Sequence, residues 1–267
     1  MADIQPISRE RHQNRRWLRF NNYDFARSQA IAPIVAAEFP KAVHAFPVGF
    51  LKNGEAFFPA AVLGIEAGKN LYVGPDGRWI GGYTPATFRG FPFRIGQTEN
   101  GNQLLCIDED SGLITEGPDG EPFFNEDGSM SEELSKILDF LGTTYRNRNA
   151  TAKVCDMLAS KNLFIDWPVT VKTSEGAQTL EGLFRINEEA LNKLSAEDFE
   201  EVRRSGALPL IYAHLLSMQH LQLLARLAEA HAQRSALMSK ETPQVPELTK
   251  SLTDSETIDW SKFGIDG

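Results

Sequence analysis

From Ala207 to Ala225 the chain runs nineteen residues without a formal charge, ALPLIYAHLLSMQHLQLLA. At helical spacing, Gln219, Gln222, Arg226, Glu229 and Gln233 form one polar stripe in the second half. Traced backwards, that stripe becomes Leu215, Tyr212 or Ile211, and Leu208. The pattern predicts a helix whose first three turns are apolar nearly all round and whose remainder is amphipathic. Pro209 falls near its start, where a helix tolerates proline. A helix apolar on every side belongs in a core or in a bilayer, and nineteen residues approach the length of a span. His214, Ser217, Gln219, His220 and Gln222 dilute the run, so the reading is a soluble core helix with no transmembrane span. Leu216 shares a stripe with Leu223 and Leu227, so it is expected to be buried and Leu216→Asp severely destabilising.

Upstream the period changes. Asn14 to Phe25 is an extended, aromatic-anchored lead-in. Pro33 to Phe46 keeps helical spacing with Pro33 at its first position and Pro40 as a kink or break. Phe46–Leu51 and Ala56–Ile65 flank Lys52-Asn53-Gly54-Glu55, and Asn-Gly between apolar runs signals a hairpin. Leu71–Val73, Pro75-Asp76-Gly77 and Trp79-Ile80 read as strand, turn and strand. With Leu104–Ile107 they make residues 46–110 an antiparallel sheet, interrupted by a helical turn at Thr84–Arg89. Residues 112–128 form an acidic, glycine-rich surface loop. Ser131 is a helix cap with Glu132 and Glu133 behind it. Leu134, Ile137, Leu138 and Leu141 then form one stripe and Val154, Cys155 and Leu158 another, giving one long helix or two with a break near Gly142. Phe164–Lys172 and Thr179–Ile186 flank a second hairpin turn. Ser195 with Asp198 opens a further helix that Gly206 ends.

From about Ser235 the chain is polar and aperiodic, which predicts a single domain over 1–234 and a disordered tail over 235–267. Within that tail Ile258, Trp260, Phe263 and Ile265 cluster in the stretch 257–265, which reads as a docking peptide for a protein partner. Its alternative is a segment folding back on its own sheet. The fold class is α+β: antiparallel hairpins packed against a long buried C-terminal helix and a second helix near 131–160.

A net charge of −9 argues against a nucleic-acid or anionic-membrane binder. Two cysteines, Cys106 and Cys155, lie in separate regular elements without metal-ligand spacing, so both are expected reduced and unpaired. The polar N-terminal stretch lacks the apolar core of a secretory signal, which points to the cytoplasm.

Four stretches then carry a resemblance: Asn70 to Trp79 (NLYVGPDGRW), Tyr83 to Phe93 (YTPATFRGFPF), Leu105 to Asp110 (LCIDED) and Gly206 to Ser217 (GALPLIYAHLLS). In order and spacing they resemble the SapC-like family of bacterial proteins, over about residues 5–230. Gly90 stands where members often carry a second arginine, which removes one arm of a two-arginine anion site there. The family takes its name from a surface-layer locus. Its members are often encoded beside TonB-dependent receptors and flavin-dependent, halogenase-like proteins. The resemblance therefore implies an accessory role with such a protein as partner, and it carries over no catalytic residues.

Candidate chemistry is sparse. Asp108 and Asp110, at the end of a strand-like run, suit an acid/base pair or hard cation ligands; a strand-end cap explains them equally. Arg78, Arg89 and Arg94 flank Trp79, Tyr83, Phe88, Phe91 and Phe93, a combination suited to carboxylate or sugar recognition. His214, with Ser217 on the same face and Tyr212 beside it, either lines a polar pocket or donates to a backbone carbonyl. His214 and His220 lie about 120° apart on a helix and make no two-histidine metal face. There is no Walker A loop, dinucleotide fingerprint, HExxH or nucleophile elbow, and neither metal nor cofactor is expected. The favoured expectation is a non-enzymatic binding or accessory protein of a surface-layer or outer-membrane uptake system. The alternatives are an enzyme modifying a small molecule or peptide with Asp108, Asp110, Arg94 and His214, and a structural surface-layer component.

Overall fold

The computed structural model describes residues 3–98, 100–173 and 176–241. In chain order the elements are β1 (Ile4–Pro6), α1 (Arg9–His12), β2 (Arg16–Trp17), β3 (Ile31–Pro33), α2 (Phe39–Ala42), β4 (Val48–Asn53), β5 (Ala56–Val62), α3 (Ala86–Arg89), β6 (Phe93–Gln97), β7 (Gln103–Asp108), β8 (Ile114–Thr115) and β9 (Glu121–Pro122). There follow α4 (Glu132–Ser160), β10 (Phe164–Asp166), β11 (Val169–Thr173), β12 (Gly176–Leu180), β13 (Leu183–Ile186), α5 (Glu188–Asn192), α6 (Ala196–Arg204), α7 (Ala207–Ser217) and α8 (Leu221–Glu241). The fold is α+β with antiparallel sheets. Residues 1–229 form one compact unit and a second begins at Ala230. Helix α8 is continuous to Glu241, past the Ser235 boundary that composition suggests. Residues 242–267, with Trp260 and Phe263, lie outside the described residues, as does any docking by them.

The expected sheet over 46–110 is in fact two sheets. The Asn53-Gly54 turn closes β4 on β5 in register Asn53↔Ala56, with Gly54 at φ +58°. This hairpin is the centre of a five-stranded sheet ordered β10-β13-β4-β5-β3. Strands β6 and β7 pair instead with β1 in a separate three-stranded sheet. Between the hairpins, Leu63, Leu71, Tyr72 and Val73 are buried but mostly irregular, and only a single bridge, Val73↔Trp79, remains of the strand-turn-strand reading. The helix expected over 33–46 is also reduced. Pro33 ends β3, whose pairing with β5 claims Ile31–Pro33, and helical geometry begins only at the 3-10 turn Ala36–Glu38. Pro40 sits in the first turn of α2, where its missing N–H has no helical partner to lose.

Helix α4 is one unbroken element of 29 residues. Ser131 Oγ accepts from Leu134 N at 3.2 Å, and Glu132 and Glu133 occupy the positive end of the dipole. Its first half packs Leu134 and Leu141 with Trp17, Phe93, Ile107 and Phe123 in a satellite cluster. Its second half sends Cys155 and Leu158 into the main core. Cys106 and Cys155 are both free thiols.

Helix α7 is buried on a face that includes its polar residues: Ala207, Leu210, Ile211, His214 and Ser217. Leu216 is 66 % exposed and Tyr212 is 52 % exposed, which corrects the expectation that Leu216 is core. The reason lies in the strands beneath. Strands β13 and β4 pair at Leu183↔Leu51 and Phe184↔Phe50 and then part. In that register the next rungs would bring Ile186 opposite Val48. His214 stands in the gap. Its Nδ1 lies 2.6 Å from Val48 O, and its Nε2 accepts from Ile186 N at 3.3 Å. Because Val48 O only accepts and Ile186 N only donates, the ring is the neutral tautomer protonated on Nδ1. Ser217 Oγ completes the patch, accepting from Val48 N at 2.9 Å and donating to His214 O at 2.6 Å. That bond to the carbonyl three residues back draws the chain into the 3-10 turn Met218–His220, so the expected continuous helix is α7, a 3-10 turn and α8. A 3-10 turn advances about 120° per residue instead of about 100°, so the Leu216 stripe is out of phase with Leu223 and Leu227. Gly49 makes room for the same joint: a Cβ there would lie 3.1 Å from the Trp167 ring, which itself sits edge-on to His214.

Two predictions follow from this face. Ile211→Asp places an unpaired carboxylate in the core and is expected to cost several kcal/mol, whereas Leu216→Asp is expected to stay within about 1 kcal/mol of wild type. Denaturant midpoints check both, and equal losses would reverse the assignment of the buried face. Burial holds the His214 pKa down at about 4, with Arg185 adding to the depression and the Val48 bond opposing it. A histidine with a depressed folded pKa contributes full stability above its unfolded value of 6.5 and loses it as pH falls from there to about 4. At pH 4 the loss from this group is about 3 kcal/mol. Unfolding free energies from pH 7.5 to 4.5 should therefore fall more steeply for wild type than for His214→Gln; parallel curves would contradict it.

Candidate functional site

Helix α4 turns Leu141, Thr144, Tyr145 and Arg148 to one side, the i, i+3, i+4, i+7 spacing of a single face. That face walls an open cleft of about 940 Å³. The opposite wall is built by Phe25, the segment Pro33–Val35 with Glu38, helix α3, and the chain from Phe91 through β6. Asp108, Asp110 and Ser111, at the end of β7, close one part of the rim. The size is that of a small-molecule site.

The floor is aromatic. Phe25 and Phe91 stack with centroids 3.9 Å apart and planes 7° from parallel, and Phe88 meets Phe25 edge-on at 6.2 Å. Helix α3 ends against α4 so closely that a Cβ on Gly90 would lie 2.8 Å from Leu141 Cδ2. A side chain at this position would have to displace the Leu141 methyl group.

A buried carboxylate fixes this wall. Glu38, 5 % exposed, accepts from Val35 N at 3.0 Å through Oε2, and from Tyr83 Oη at 2.9 Å and Ala86 N at 2.7 Å through Oε1. It thus caps the 3-10 turn behind it and supplies the acceptor for the first N–H of α3. Burial, reinforced by Glu38, raises the Tyr83 pKa to about 12, so its hydroxyl remains a donor at neutral pH. Arg89 donates from Nη2 to Tyr83 Oη at 3.1 Å and lies over the Phe140 ring at 4.9 Å. Trp79 Nε1 donates to Tyr83 O at 2.7 Å.

Apart from Glu38, the charged residues of the cleft lie at its rim. Asp108 is buried, and its Oδ1 accepts from Asp110 N at 3.2 Å, capping the 3-10 turn Glu109–Ser111. Asp108 and Asp110 share the cleft through this turn. Glu109 points elsewhere, to Arg11 at 2.9 Å and Arg15 at 3.3 Å. Arg94 pairs in register with Cys106, two residues short of Asp108. Among the described residues no ion pair joins Arg94, Arg148, Asp108 or Asp110 to a partner. Tyr145 Oη accepts from Gln97 Nε2.

Of the candidates read from sequence, Asp108, Asp110 and Arg94 therefore meet in one cleft. His214 does not: both ring nitrogens are engaged in the main core, and Ser217 is spent on Val48 and His214. Arg78 is exposed beside Asp76, and Tyr212 faces outward from α7. Trp79, Tyr83 and Arg89 support the wall from behind and do not line the cleft. Sequence reasoning missed Glu38, Tyr145 and Arg148. The last two continue the spacing of Leu141 and were legible as one face; Glu38 offered no signal, because two of its three partners, Tyr83 and Ala86, lie far along the chain. Among the described residues no group of three His, Cys, Asp or Glu side chains is placed to hold a metal ion, and no helix is long and apolar enough to cross a membrane.

No curated protein and no solved structure matches the chain. The SapC family model matches residues 7–224, which takes in every residue lining the cleft and both halves of α4. With most of its length so matched, the chain belongs to the SapC family.

Proposed function

We propose that this protein is a non-enzymatic binding protein whose cleft between α4 and the β6–β7 hairpin takes an amphipathic small molecule. Its context would be that of an accessory to a bacterial surface-layer or TonB-type uptake system, working in the cytoplasm. The partner class is the one the family resemblance implies, a flavin-dependent, halogenase-like protein or an uptake component. The observation that carries the binding reading is the cleft itself. An aromatic floor held by a fully bonded network offers an apolar body a preformed surface, and charges at the rim supply orientation. The meeting of Asp108, Asp110 and Arg94 keeps a second reading, in which these groups act on the ligand; His214 has no part in it.

A naphthalene-sulfonate fluorophore tests the cleft. It is expected to bind saturably with one site per chain, and at ten times its Kd to raise stability by about 1.4 kcal/mol. Thr144→Trp fills the cleft from α4 and is expected to weaken binding at least tenfold while the protein still melts cooperatively. Binding that is unsaturable, or indifferent to Thr144→Trp, would overturn the proposal.

A further inference from the structure

Resting on that reading of the cleft, we infer that its ligand is zwitterionic, of the amino-acid or short-peptide class, with an aromatic or large apolar side chain. Charges of both signs face one cavity without pairing with each other. Arg94 comes from β6 and Arg148 from the far end of the α4 face, so two exposed arginines line the cleft from different elements. A guanidinium fork recognises a carboxylate through paired hydrogen bonds.

Asp108 supplies the opposite need. It is only 8 % exposed, its Oδ1 is used by Asp110 N, and Oδ2 has no hydrogen bond within the described structure. A carboxylate this desolvated is stabilised by a cation brought to it. A simple anion would answer the arginines and leave Asp108 beside it uncompensated. A simple cation would answer Asp108 and meet two arginines. A ligand carrying an ammonium and a carboxylate answers both, and its side chain lies on the Phe25–Phe91 stack. The charge at each end of the ligand, and the distance between those ends, decide between a free amino acid and a peptide.

Calorimetry with four probes tests this: L-phenylalanine, the Phe-Phe dipeptide, its N-acetyl form and its C-terminal amide. The tighter of the first two identifies the source. The expected result is at least a tenfold weakening on acetylation, reproduced by Asp108→Asn with the unmodified dipeptide and absent when Asp108→Asn meets the acetylated one. Amidation is expected to do the same, matched by the double variant Arg94→Gln/Arg148→Gln. Asparagine keeps the oxygen that caps Asp110, so folding is preserved. If the acetylated dipeptide binds as well as the free one and Asp108→Asn is silent, the inference fails and the cleft is one for apolar anions. If no probe binds while the fluorophore still saturates and responds to Thr144→Trp, the inference also fails, and the binding reading stands without it.

Discussion

One imidazole holds helix α7 in register with the five-stranded sheet. Strands β13 and β4 separate after two rungs, and the carbonyl of Val48 and the amide of Ile186 would be left without partners in the middle of a core. The side chain of His214 spans the opening, and Ser217 takes the one donor that the ring does not reach. Unsatisfied backbone groups at this depth cost about 1–3 kcal/mol each, so α7 cannot rotate or slide without exposing the sheet to that penalty. The orientation of α7 is set by three hydrogen bonds more than by its leucines. This is why a helix that is apolar on nearly every side presents a tyrosine and a leucine to solvent and keeps a histidine and a serine inside.

The same principle recurs at the cleft wall. Glu38 gathers two backbone amides and a phenol hydroxyl from segments nearly fifty residues apart. Both cases place one polar side chain where regular secondary structure runs out. In each, geometry that strands and helices would otherwise impose is imposed by a side chain, and a cavity or a strand junction can persist without collapsing. Arg89, lying across Tyr83 and Phe140, joins this wall to α4, so the two sides of the cleft are braced against each other behind the floor.

What the sequence made legible follows from range. Elements governed by neighbours could be read: the Asn53-Gly54 turn, the Ser131 cap with its two glutamates and the Ser195 cap; whether one helix or two follow Ser131 stayed open in the sequence, and the structure has one. Elements governed by distant partners could not. The 33–46 stretch has helical spacing, yet β5 recruits its first residues as a strand. Leu216 has the right neighbours for burial, but a bond from Ser217 shifts the helical phase beyond it. At the cleft, Asp108, Asp110 and Arg94 stood out because charges next to strand-like runs are conspicuous. Glu38 did not, because nothing local distinguishes a surface glutamate from one that Tyr83 and Ala86 reach from more than forty residues away.

Helix α4 has a place in the architecture that reaches beyond packing. Its first turns belong to the satellite cluster and its last to the main core, and the residues that face the cleft begin at Leu141, the end of the first cluster, and run to Arg148. The two hydrophobic clusters are thus strung on one helix with the cleft face at its midpoint. A molecule bound at that face would be thermodynamically linked to both clusters at once. The cleft therefore depends on both clusters: its α4 wall is in place only where both ends of the helix are packed.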